Sequence, residues 1–138
     1  MRKYLVILLM FVIALSSMDS RAASYPESRP DAPIPERPHL TRSGGTFPGP
    51  SGLETWYNLR MGVCISNMRA MGYDVETYPY YIREDGAKML GEYVMCASNN
   101  KVRPKGTIIE TSLGMAIVVD SCAAANSNPS LLDLCVDW

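Results

Sequence analysis

Seven of the ten prolines fall between Pro26 and Pro50, and that clustering limits where this chain can build a core. Proline fixes its own φ and donates no backbone hydrogen bond, so a dense run of it resists both helix and central strand. Residues 23–52 therefore read as an extended, flexible Pro-rich linker. A foldable domain is left at residues 53–138, which hold all four cysteines and both tryptophans. A domain of this size buries only about 60–65% of its unfolded surface, so its core needs reinforcement.

The first 22 residues read as a secretory signal. Arg2 and Lys3 precede an apolar run from Tyr4 to Leu15, and small residues follow at Ser20 and Ala22. Twelve apolar residues fall short of the roughly 20 that a spanning helix needs. Cleavage is expected after Ala22, which makes the protein secreted. The alternative is a retained signal anchor, the one membrane contact the sequence allows.

Without that segment the chain carries 10 basic and 13 acidic residues. This balance excludes a basic nucleic-acid binder. The single histidine, His39, sits among prolines and reads as a linker residue, so histidine-based triads and metal sites are not expected. No metal site, phosphate loop or cofactor motif is found.

Export changes the meaning of Cys64, Cys96, Cys122 and Cys135. An even number of cysteines in an oxidising compartment favours disulfides, with three pairings open to four cysteines. The preferred pairing is Cys64–Cys96 with Cys122–Cys135; buried free thiols are the other reading.

Period and punctuation give the coarse structure. Residues 53–59 read as a strand, and Met61, Ile65 and Met68 mark a short helix over 61–71. Asp85-Gly86 signals a turn, residues 91–97 a buried strand, and residues 107–111 and 115–119 a hairpin through Gly114. Leu132, Leu134, Val136 and Trp138 alternate with Asp133, Cys135 and Asp137, as on the two faces of a strand. Many short strands and one short helix suggest a small closed β-structure.

Ala97-Ser98-Asn99-Asn100, Pro104-Lys105-Gly106-Thr107, Gly114, Asp120-Ser121-Cys122 and Leu132-Asp133-Leu134 occur in that order. In order and spacing this region resembles the three-aspartate (3D) domain of bacterial cell-wall proteins. That domain is related to the core of lytic transglycosylase A and to the RlpA-like double-psi β-barrels. The resemblance implies a mainly β fold, a small six-stranded double-psi β-barrel with one or two short helices. It matches the family's second and third aspartates to Asp120 and Asp133. Asn99 stands at the first aspartate, Cys122-Ala123 replaces a Gly-Gly pair, and Asn126 is nearest to an expected lysine.

The resemblance implies peptidoglycan as the partner and no cofactor. It also brings Asp133 and Asp120 side by side, with Asp133 as general acid/base and Asp120 raising its pKa. An acid inside an apolar strand needs a reason to be there, which singles out Asp133 independently. Asn99 would hold a substrate hydroxyl, and Tyr78, Tyr80, Tyr81 and Trp56 would pack against sugar faces. The leading expectation is a monomeric, cell-wall-associated protein that cleaves glycosyl bonds as a lytic transglycosylase does. The alternatives are a non-catalytic peptidoglycan-binding module or a secreted interaction module on the same barrel.

Overall fold

Strands form where apolar residues recur every second position, and the computed structural model, which describes residues 32–138, assembles eight of them into one mixed sheet. They are β1 (Phe47–Gly49), β2 (Gly52–Tyr57), β3 (Tyr80–Ile82), β4 (Lys88–Leu90), β5 (Tyr93–Ser98), β6 (Ile108–Thr111), β7 (Gly114–Ser121) and β8 (Leu132–Cys135). One α-helix, α1 (Gly62–Ala70), and a 3-10 turn at Ala123–Asn126 complete the elements. The expected signal segment and its cleavage site lie outside the described residues. Among the described residues no helix is long and apolar enough to cross a membrane.

β5 is the hub. One edge pairs parallel with β7 along its length, from Val94↔Ala116 to Ser98↔Ser121. The other edge is shared between two antiparallel partners. Val94 faces Met89 of β4, while Cys96 and Ala97 face Leu134 and Asp133 of β8. β8 then pairs parallel with β2. The remaining pairs are β1–β2, β3–β4 and β6–β7, all antiparallel.

The mainly β expectation holds at this level. The strand path runs from β1 to β3 as an open mixed sheet, with β6 attached to β7. Among the described residues β1, β3 and β6 each pair along a single edge, so eight strands end in hairpins where six were expected to close.

Two apolar clusters follow from the alternation. Val94, Cys96, Val118, Leu132, Leu134 and Met89 fill one side of the sheet. Met95, Ile117, Val119 and Cys135 point the other way and meet Cys64 and Met68 of α1 and Met61 just before it. Full burial of such a side chain stabilises the fold by about 1.5–3 kcal/mol. The spacing Met61, Cys64, Met68 gives α1 its single apolar stripe. Its end is set by Gly72 at φ 101°, with Gly72 N–H bonded to Arg69 O and Tyr73 N–H to Met68 O. These two bonds satisfy carbonyls that would otherwise lack partners, and the left-handed residue they need is the glycine.

Part of the expected linker belongs to the folded body. Leu40 is fully buried, β1 pairs with β2, and Arg37 bridges to Glu110 at 3.0 Å. Proline density excludes long strands, but it leaves room for a three-residue edge strand and one apolar anchor.

The cysteine pairs need correction as well. Cys64, Cys96, Cys122 and Cys135 are all free thiols. The sheet explains the first expected pair: Cys64 lies with the helix-side cluster and Cys96 with the opposite one. Cys135 turns toward Met61, with 3.1 Å between the sulfurs, while the Cys122 thiol faces the Asp133 carboxylate. Burial raises the thiol pKa of Cys64 and of Cys135 to about 11, and pushes that of Cys96 up further.

A carboxylate pair across the central strand

Strand register places four residues in one row. Thr55 of β2 is the partner of Asp133 of β8, Asp133 is the partner of Ala97 of β5, and Ala97 is the partner of Asp120 of β7. Paired residues in a sheet project to the same face. Two aspartates therefore flank a methyl group, the smallest side chain that still marks a strand position.

Asp120 reaches this row through an irregularity. The β5–β7 register shifts between Cys96 and Ala97, so Cys96 pairs with Val118 but Ala97 with Asp120. Val119 already faces the helix-side cluster, and strict alternation would send Asp120 to the opposite side. The extra residue turns it back, as β-bulges do near functional sites. The two aspartate segments were expected side by side; instead β5 lies between β7 and β8, so Asp120 and Asp133 share a face with Ala97 between them.

Each carboxylate has its own partners. Thr55 Oγ1 donates to Asp133 Oδ1 at 2.8 Å, and the Cys122 thiol faces Asp133 Oδ2 at 3.9 Å. Ser121 N–H donates to Asp120 Oδ1 at 2.8 Å, and the Tyr57 hydroxyl reaches Asp120 Oδ2 at 3.5 Å. Asn100 Nδ2 holds the Asp120 carbonyl at 3.1 Å, which fixes the strand end. Both acids are half-buried.

Burial is the main force lifting the Asp133 carboxyl above its usual pKa, and the nearby Asp120 charge adds to it. The Thr55 and Cys122 hydrogen bonds favour the ionised form and oppose the rise without cancelling it. Burial also pushes the Tyr57 phenol well up, so Tyr57 stays a donor throughout the physiological range.

The other expected site residues are not gathered here. Asn99 spends its amide on the loop: Nδ2 donates to Ala125 O at 3.1 Å, and Oδ1 accepts from Lys101 N–H at 3.0 Å. Trp56 and Tyr81 pack against the opposite cluster, and Trp56 meets Trp138 edge-on with centroids 5.7 Å apart. Tyr80 is exposed on β3, at the far end of the strand order, and Tyr78 packs edge-on to Tyr73. The two-residue period explains the tryptophan: neighbours in sequence, Thr55 and Trp56 must face opposite ways.

Four neighbours of the carboxylates were not evident from the sequence, namely Thr55, Tyr57, Cys64 and Cys122. Thr55 and Tyr57 shared a visible alternation in β2, but its parallel pairing with β8 left no local mark. Among the described residues no three His, Cys, Asp or Glu side chains converge as metal ligands. No family model, curated protein or solved structure matches this chain.

Proposed function

We propose that this is an exported, monomeric protein that cleaves glycan strands of peptidoglycan by lytic-transglycosylase-like chemistry, on a domain related to the double-psi β-barrels. One observation carries the reading: Asp133 and Asp120 share a sheet face across Ala97, with Asp133 half-buried and its carboxyl pKa raised. The resemblance of residues 97–134 to the 3D domain supplies the substrate class.

Such chemistry needs one carboxyl that is protonated when substrate binds. Burial and a like charge move Asp133 toward that need by raising its carboxyl pKa. It gives its proton to the glycosidic oxygen as the C1–O bond breaks. Charge spreads over the oxocarbenium-like sugar, where Asp120 and the Tyr57 hydroxyl supply negative charge and a dipole. The sugar's own C6 hydroxyl then attacks C1 and returns its proton to Asp133, which leaves a 1,6-anhydro end. No cofactor takes part.

A zymogram of residues 23–138 over cell-wall material tests the proposal. Clearing by the wild type that is lost in Asp133→Asn supports it. Absence of clearing, with the folded protein added in excess, overturns it. A non-catalytic binding module is favoured by one observation, the commitment of Asn99 to its loop. That reading predicts cosedimentation with peptidoglycan and no soluble products.

A further inference from the structure

Even with Asp133 protonated, the Asp120 carboxylate repels an anionic substrate unless a cation offsets it. Most cations near the sheet are already committed. Arg103 donates to Ser130 O and Ser51 O, Lys88 to Asn58 Oδ1 and Leu59 O, and Arg83 to Asp85. Lys105 differs. It is half-buried, and among the described residues none holds its ammonium in a hydrogen bond or an ion pair.

Its position is well anchored. Lys105 is the second residue of a turn closed by Thr107 N–H to Pro104 O at 3.0 Å. The third residue, Gly106, has φ 92°, and its N–H bonds Val118 O at 2.8 Å. That bond ties the turn to β7 two residues before Asp120. A Cβ on Gly106 would come within 2.7 Å of the Tyr73 hydroxyl and 3.8 Å of Met71 Cε. The turn therefore lies against the segment that follows α1, on the helix side of the sheet, where the aspartates also project. The Lys105 charge is felt at Cys64, whose thiol also interacts with Asp120.

We propose that Lys105 is the anion-recognising residue of the carboxylate site and selects glycan strands bearing carboxylates over neutral strands of the same backbone. This rests on the glycan reading above and deepens it. A lysine ammonium suits the task, since it is a compact charge with three rotatable donors on a flexible stem. Its charge gives the substrate carboxylate a partner while leaving Asp133 free to keep its proton. The attraction crosses solvent and weakens as salt shortens the screening length.

The test compares two probes by fluorescence anisotropy at low ionic strength. One is peptide-stripped peptidoglycan strands with free lactyl carboxylates; the other is the neutral N-acetylglucosamine hexamer. The wild type is expected to bind the carboxylate strands at least about tenfold more tightly, a difference of about 1.4 kcal/mol. Lys105→Met should bring the two affinities together by weakening only the anionic probe, and Lys105→Arg should restore most of the preference. Amidating the lactyl carboxylates should have the same effect on the wild type as Lys105→Met has on the native strands. In turnover, Lys105→Met should raise KM on carboxylate strands and leave kcat unchanged. An undiminished preference in a folded Lys105→Met variant overturns the proposal and leaves the glycan reading standing. If neither probe binds the wild type and sacculi are not cleared, the glycan reading falls and this inference falls with it.

Discussion

Glu54 and Asp133 are both acids in apolar strands, and both have their carboxyl pKa raised chiefly by burial. They stand on paired strands, Glu54 beside Leu132 and Asp133 beside Thr55, yet their surroundings differ. Glu54 has no exposed surface. It accepts Ser112 N–H at 2.8 Å and the Ser112 hydroxyl in a very short bond, and Ser112 Oγ in turn accepts Leu40 N–H at 2.9 Å. Gly49 leaves the space for it, since a Cβ there would lie 1.9 Å from Glu54 Oε1. Glu54 thus fastens the 112–113 turn and residue 40 to β2. Asp133 is half-buried, with one oxygen held by Thr55 at 2.8 Å, the other facing only a thiol at 3.9 Å, and a second carboxylate across Ala97. A raised pKa alone does not mark a catalytic acid, and the role proposed for Asp133 rests also on its partial exposure.

The sharpest way to break this comparison is to neutralise each acid in turn. Asp133→Asn should cut peptidoglycan clearing by about 10²–10⁴-fold, the usual worth of a general acid, and leave the melting transition near that of the wild type. Turbidity loss of sacculi and a thermal scan read both quantities. Glu54→Ala should do the reverse. It opens a cavity and strands Ser112, for a loss of about 3 kcal/mol in urea unfolding, while the folded fraction keeps its activity. Equal effects of the two substitutions on activity would erase the distinction.

A smaller effect sharpens the electrostatics. Asp120→Asn removes the like charge that helps to raise Asp133, so the alkaline limb of the pH–activity profile should move to lower pH. Thr55→Val removes a bond that favours the ionised carboxylate, so the same limb should move to higher pH. Shifts of the same sign in the two variants would mean that another group governs the limb.

The smallest effect is on stability. Both acids have folded pKa values above the ordinary 3.8 and 4.5. Their protonated forms therefore fit the folded state better than the ionised ones. That contribution is fully present below about pH 4 and is lost as pH rises through the raised folded values. Urea midpoints measured across this window should fall with pH in the wild type and flatten in the Asp133→Asn, Glu54→Gln double variant.

Local pattern was legible because strand and helix periods are local. The strand over 53–59, the helical spacing of Met61, Ile65 and Met68, the Gly114 hairpin and the two faces of β8 can all be read from neighbours in the chain, although it is Cys64 rather than Ile65 that the helix buries most deeply. Glu54 was legible as a polar residue in a strand, but its partner Ser112 lies 58 positions away and nothing local announces it. Asp133 stood out because charge on an apolar strand is costly, whereas nothing local told that Trp56 would pair with Leu134 and pack on the opposite face from Asp133.

Sequence alone determined the strands near 53–59, 91–97 and 132–138, the hairpin through Gly114 and that an acid stands in an apolar strand, since steric and hydrophobic preferences act within a few residues. Tertiary structure decided which strands pair, and so which side chains meet. The bulge that turns Asp120 toward Asp133, the separation of Cys64 from Cys96 and the placing of Lys105 beside β7 all depend on hydrogen bonds between distant segments. A shift of one residue in those bonds would carry every side chain to the other face.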